Sequence, residues 1–294
     1  MIKSLGYIGC AVTNLNAWHD LLVNQIGLSK NADISTITRH HYRMDRASSR
    51  ITLESSTRDE LLYLGWDMGS LASLEQLSNA LRDVGLKVDD ASPDEARHRH
   101  VEIMRRFVGP DGVQHEIFCN QDQATEGFSS AIMQGGFKTG PSGLGHAVLA
   151  ASDRLGAATW YMETLGFRLS DEILWDDAQA TFMHCNARHH SLAILNCCMG
   201  MQPGDLNHIM VEMENLEDVG RAYDRVRAAG TPLALQIGQH INDKVVSFYL
   251  ITPSGSAIEV GYGGIEIESS TWQPQTFDTP KIWGHDPAGN QGVV

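Results

Sequence analysis

The chain lacks the signatures of several common biochemistries. No apolar run of 18 residues occurs in its 294, so no segment is expected to span a bilayer. The opening MIKSLGYIGCAV has one Lys, a short apolar stretch and no small-residue cleavage site, so no cleavable signal is expected. Five cysteines (Cys10, Cys119, Cys185, Cys197 and Cys198) make an odd number without framework spacing, and no CxxC is present. That argues against a disulfide scaffold or a thiolate zinc site and for a reduced, cytoplasmic enzyme. The absence of GxGxxG, GxxxxGK and GxSxG sets aside dinucleotide folds, P-loop enzymes and α/β-hydrolases. Positive charge is scarce, with 22 Lys and Arg against 36 Asp and Glu and a formal net charge of −14. A nucleic-acid or anionic-membrane partner is therefore not expected.

What is present suits a folded chain of two domains, with 42% apolar and 20% charged residues. Internal repetition carries most of the information. LGYIGCAVTNLNAWHDLLVNQIGL (5–28) parallels LGHAVLAASDRLGAATWYMETLGF (144–167). Each segment has a strand-like run, a turn, a helical stretch and a closing Gly. Leu15, Trp18, Leu22 and Ile26 form one helical stripe, and Leu155, Ala158, Met162 and Leu165 the matching one. Gly27 and Gly166 stand where a left-handed residue would end each helix. A second pair, 63–85 and 208–230, repeats the pattern, with Asn215 as a helix N-cap and Leu216, Val219, Tyr223 and Val226 as a stripe. GPDGVQHEIF (109–118) matches TPSGSAIEVG (252–261). The reading is four strand–helix–strands units in two domains, 1–120 and 142–265. Residues 121–141 form a linker, and a tail from 266 to 294 is expected to be irregular.

The two halves serve as controls for each other. At matched strand positions the first has Tyr7, Tyr63 and Glu116, and the second has His146, His208 and Glu259. Two imidazoles and one carboxylate with open coordination positions are the ligand set of non-haem Fe(II) oxygenases. Any one of these histidines could be a packing residue, but three matched positions in a repeated unit favour a metal site. Strand alternation places His146 with Val148, and His208 with Met210, facing inward.

These residues lie in GLGHAVL (143–149), FMHCNARHHSLA (182–193), LNHIMVE (206–212), GQHINDKVVSFY (238–249) and TPSGSAIEVG (252–261). In this order, the set resembles the type I extradiol ring-cleaving dioxygenases of the vicinal oxygen chelate superfamily. The likeness is nearest to the two-domain enzymes for 2,3-dihydroxybiphenyl and 1,2-dihydroxynaphthalene. The resemblance implies an α+β fold of two domains, each made of two βαβββ modules curled into an incomplete barrel. It implies Fe(II), or less favourably Mn(II), on His146, His208 and Glu259 of the second domain only. His190, His240 and Tyr249 would be the catalytic groups beside the metal. Phe182, Asn242 and Asp243 would line the substrate site, with Asp243 orienting His240. The implied reaction is meta cleavage of a catechol with both atoms of O2 incorporated, in aromatic-compound catabolism. Its substrate would be 2,3-dihydroxybiphenyl, 2,2',3-trihydroxybiphenyl or 1,2-dihydroxynaphthalene, and a homo-oligomer is compatible. A glyoxalase-like isomerase and a small-molecule-binding module are the rivals on the same fold.

Other residues receive no role at this stage. His40, His41, His98 and His100 lie in polar stretches and are expected to be solvated. His184 reads as a packed histidine, and Cys197 and Cys198 as packed thiols. Met199 and Met201 read as loop or pocket wall. In NARHHSL (186–192) a strand starting at His190 would put His190, Leu192 and Ile194 on one face. His189 would fall on the turn or the outer face as a bystander.

Overall fold

The repeated units build the same pairing four times over. The computed structural model describes residues 1–287. In the first half, β1 (Ser4–Val12), α1 (Leu15–His19), β2 (Ser29–Lys30), β3 (Arg39–Arg43) and β4 (Ile51–Ser55) form one module. The second comprises β5 (Glu60–Asp67), α2 (Leu71–Asp83), β6 (Asp89–Asp90), α3 (Pro93–Arg99), β7 (Val101–Val108) and β8 (Gln114–Gln121). In the second half, β9 (His146–Ala151), α4 (Arg154–Leu165), β10 (Arg168–Trp175), β11 (Ala178–His184) and β12 (Leu192–Asn196) form one module. β13 (Leu206–Met213), α5 (Leu216–Ala228), β14 (Leu233–His240), β15 (Val246–Ile251) and β16 (Ala257–Tyr262) form the next.

In every module the first strand pairs parallel with the last, as β9 does with β12 and β13 with β16. The two modules of a half join antiparallel through their first strands, β1 with β5 and β9 with β13. The order is β2-β3-β4-β1-β5-β8-β7-β6 in the first sheet. In the second, β10-β11-β12-β9-β13-β16-β15-β14 is flanked by two further short strands. This α+β arrangement leaves one sheet face for the helices and the other for a cavity. Leu149, Leu192, Ile194, Ile209, Val211 and Val260 pack in the main core with Ala157, Tyr161 and Val226 of the helices. Val148, Ala180, Ala193 and Leu195 form a separate cluster on the cavity side.

Local chemistry fixes the helix ends. Asn14, Asp153 and Asn215 accept N-cap hydrogen bonds, and Gly27 (φ 113°) and Gly166 (φ 77°) close their helices in the left-handed region. After α1 the chain widens into a π-helical stretch, Asp20–Ile26, burying Leu21 and Leu22 together with Gln25 and Ile26. The buried side of α4 is Ala157, Ala158, Tyr161 and Leu165, whereas Leu155 is exposed. The stripe is thus rotated from the sequence expectation, because two alanines let the helix approach the sheet closely. Leu216 is likewise exposed at the start of α5.

The tail departs from expectation. Its β17 (Gln275–Phe277) pairs parallel with β10, and β18 (Lys281–Gly284) pairs antiparallel with β14. Both cover free edges of the second sheet, which offer unpaired backbone groups to any adjacent chain. Residues 122–139 form no regular helix or strand, yet Met133 and Phe137 are buried. The backbone N–H groups of Gln134 and Gly135 donate to Asp218. No described helix is long and apolar enough to cross a membrane.

Gly145, just before His146, has φ 150°, and a Cβ there would meet the Met210 carbonyl oxygen at 1.9 Å. Gly145→Ala must push β9 away from β13. It is expected to lower stability by about 1–3 kcal/mol, read as a lower denaturation midpoint in urea.

Candidate active site

The join between β9 and β13 puts the metal-ligand candidates in one place. His146 and Glu259 both stand opposite Met210, and His208 lies two residues before it on β13. All three side chains are buried. His146 Nε2 is 3.2 Å from His208 Nε2 and 3.2 Å from Glu259 Oε2, and His208 Nε2 is 3.6 Å from the same oxygen. His208 Nδ1 lies 2.6 Å from Asn207 Oδ1, an acceptor, so it carries the ring proton and Nε2 is bare. Burial holds His208 down at about 3, the neutral state a metal ligand needs.

These donors fit a small divalent ion. Ligand atoms about 2.1 Å from an ion at right angles are separated by about 3 Å, which matches the spacing here. Glu259 Oε1 is buried without a hydrogen-bond partner among the described residues. A carboxylate oxygen left this way is costly unless a cation or donor meets it.

A cavity of ≈ 1380 Å³ opens beside this cluster, and every proposed site residue lines it. The His190 ring lies over His146 with centroids 3.9 Å apart, and Phe182 meets His190 edge-on at 4.9 Å. Burial, and next the nearby His146 and His189, hold His190 well below the usual imidazole range. His240 Nδ1 donates to the Pro280 carbonyl at 2.9 Å. Its Nε2 lies 2.7 Å from the Tyr249 hydroxyl and 3.4 Å from Glu259 Oε1. Burial alone would lower His240, but the Glu259 carboxylate overrides it and raises the group to about 9. Burial, followed by the Glu259 charge, pushes the Tyr249 hydroxyl well up. Asn242 is buried with its Nδ2 unpartnered among the described residues.

Several expectations need correction. Asp243 makes no hydrogen bond to His240 among the described residues. Its Oδ1 accepts from the Val245 backbone and its Oδ2 lies 3.8 Å from His190 Nδ1. The tail supplies His240's partner instead. β12 starts at Leu192, so His190 precedes the strand and faces the cavity while Leu192 and Ile194 face the core. His189 is not an outer bystander but 1% exposed, with Nε2 2.8 Å from Asp171 Oδ2. His40 and His41 are buried too, the first hydrogen-bonded to Tyr42 and the second to Ser49, since β3 lies inside the first sheet. Cys197 is exposed and Cys198 half-buried. His184 is packed as expected, bonded to Ser170 and Ser269, and Met199 and Met201 line the cavity.

Sequence reasoning missed Asp171 and His285. The His285 ring lies 4.2 Å from that of His240, in a tail with no periodicity to flag it. Asp171 shares a strand face with Ile173, a parity that marks a buried carboxylate.

In the first half the equivalent positions are filled differently. Tyr7 and Glu116 both stand opposite Gly65, as His146 and Glu259 stand opposite Met210. Tyr7 donates to Glu116 Oε2 at 2.7 Å, and Arg99 Nε approaches the same oxygen at 3.0 Å. The Arg99 guanidinium lies 3.8 Å over the Tyr63 ring. A chain-borne cation thus meets the buried carboxylate where the second half gathers imidazoles.

Comparison with known proteins identifies the family. Residues 143–260 match the Glyoxalase/Bleomycin resistance protein/Dioxygenase superfamily, and residues 5–55 match the family described as Dihydroxybiphenyl dioxygenase BphC D1. The chain is 36% identical to a biphenyl-2,3-diol 1,2-dioxygenase of Paraburkholderia xenovorans (strain LB400), over 97% of this chain and 95% of that one. It is 30% identical to an iron-dependent extradiol dioxygenase of Rhodococcus jostii (strain RHA1), over 97% of both. The crystal structure of 2,2',3-trihydroxybiphenyl 1,2-dioxygenase from Sphingomonas wittichii strain RW1 superposes with a TM-score of 0.88 at 31% identity, covering 98% of this chain and 100% of that one. Sequence, topology and site together establish that the chain belongs to the extradiol ring-cleaving dioxygenases of this superfamily.

Proposed function

We propose that this chain cleaves a bicyclic catechol beside one of its hydroxyls, consuming one O2, with Fe(II) held by His146, His208 and Glu259. The observation that carries the reading is the convergence of two imidazole nitrogens and a carboxylate oxygen within 3.2–3.6 Å, buried at the wall of the cavity. Bound there, Fe(II) would supply adjacent open positions for catechol and O2 and the electron path that triplet O2 lacks. The names of the relatives support both the metal and the reaction.

The protein's own groups would handle protons and orientation. His190 faces the cavity in its neutral form and would take a catechol hydroxyl proton, then return it as the ring opens. Tyr249 and His240, bonded to each other, would hold a catechol oxygen by hydrogen bonding. Asn242 Nδ2 offers a further donor, and Asp243 sits behind His190. Phe182 would form a wall against the ring. The cavity exceeds the usual pocket range of about 300–1,000 Å³, and Ile173, Trp175, Leu195, Met199 and Met201 give it an apolar side for a second ring. 2,3-Dihydroxybiphenyl or 2,2',3-trihydroxybiphenyl suits that space, with 1,2-dihydroxynaphthalene next.

The test is anaerobic loading with Fe(II), addition of each catechol, then O2. A yellow ring-fission product with one O2 consumed per catechol is expected, with kcat/KM highest for the biphenyl substrates. Binding without O2 uptake would make the chain a binding module. Greater turnover with Mn(II) than with Fe(II) would reassign the metal.

A further inference from the structure

Behind His190 lies a polar chain that the proposed chemistry has not used. Asp171, His189 and His190 are 1%, 1% and 3% exposed. The Asp171 carboxylate can only accept, so the proton in its 2.8 Å contact with His189 sits on His189 Nε2. With that as its single proton, His189 presents a bare Nδ1, and that atom lies 3.1 Å from His190 Nδ1. Two bare nitrogens at this distance would repel. An imidazolium His189 would reverse the bond and leave His190 protonated at Nε2, whereas with His189 singly protonated His190 carries its own proton on Nδ1 and donates it to His189. The far nitrogen, His190 Nε2, is left bare, and it makes no hydrogen bond among the described residues while the ring lines the cavity.

The chain is anchored at its far end. Asp171 Oδ1 accepts the Gln275 backbone N–H at 2.7 Å, where the tail strand joins β10. The Trp272 ring meets His189 edge-on at 5.6 Å, and its Nε1 donates to the Ser170 carbonyl at 2.7 Å. Ser170 Oγ donates in turn to the His189 carbonyl. Asp243 Oδ2, 3.8 Å from His190 Nδ1, is too distant to bond but favours the same proton placement.

We infer that Asp171 and His189 are positioning residues that lock His190 in its Nδ1–H tautomer, so that a bare Nε2 meets the catechol hydroxyl. The inference rests on the assignment of His190 as proton acceptor. A wrong tautomer would present N–H to a group that must give up its own proton, and no ring flip could correct it in so tight a packing.

Histidine 15N NMR on the full chain loaded with diamagnetic Zn(II) reads the tautomer directly, with the His190 signals identified by their loss in His190→Phe. His190 is expected to be protonated at Nδ1 and bare at Nε2. In Asp171→Asn, whose amide can donate as well as accept, a mixture of tautomers is expected. The Fe(II) form of that variant should keep its iron and a KM within about twofold while kcat falls about 10–100-fold. The ultraviolet absorbance of anaerobically bound catechol should show a smaller ionised fraction. An Nε2-protonated His190 in the parent protein would overturn the inference, whether or not the variant folds. Parental kcat and catechol absorbance in Asp171→Asn would do the same. The NMR reading concerns geometry alone, so it fails independently of the role assigned to His190.

Discussion

His190→Phe is expected to cut kcat by about 10²–10⁴-fold while leaving the iron content unchanged. Phenylalanine keeps the flat ring that packs 3.9 Å from His146 and 4.9 Å from Phe182, so the neighbouring ligand candidate is not released. What disappears is a nitrogen able to take a proton inside a buried site. Burial keeps His190 neutral before substrate arrives, which is the form that can accept. Steady-state kinetics with iron assayed in the same sample check the result. A variant that loses iron together with turnover would place His190 among the ligands. One that retains full kcat would remove it from the chemistry.

The second large effect lies in the first half, at the position matching the metal-ligand candidates. Arg99→Met is expected to cost about 3 kcal/mol of stability, visible as a lower midpoint in urea. Glu116 is almost fully buried, and burial already raises it, with Arg99 the main opposing influence. Methionine preserves most of the apolar volume of the arginine but leaves the carboxylate facing two tyrosines. That carboxyl would then titrate higher in the folded than in the unfolded state. Its cost is present at neutral pH and fades as pH falls toward about 4. Adding Glu116→Gln should recover much of the loss, because the amide oxygen still accepts from Tyr7 and carries no charge. A deficit equal at pH 4 and pH 7, or no rescue in the double variant, would show that Arg99 acts through packing alone.

Much of the architecture was legible because the chain repeats itself. The Tyr-to-His differences at matched positions marked the candidate metal site, and the four modules followed from strand and helix periods. What stayed hidden depends on partners far apart in sequence. His189 looks like half of a surface pair until Asp171 and Trp272 are brought to it from either side. The tail strands span three and four residues, too few to show a period, and form only because β10 and β14 leave edges to fill. The face of His190 was misread because alternation holds only within a strand, and β12 begins two residues later. The rotated stripe of α4 has a similar origin. Small alanines win the close contact, and the larger Leu155 is left outside.

The seam between β9 and β13 has a consequence for how the site comes into being. His146 belongs to one module, and His208 and Glu259 to the next. His146 and Glu259 are 113 residues apart along the chain (259 − 146). Contacts of such long sequence separation form slowly, after local structure. A nascent chain with only one module folded offers an ion at most two of the three proposed donors. With those donors, full affinity would arise only once both modules have docked, and metal capture would read out completed assembly. By mass action, occupancy would then oppose separation of the two modules.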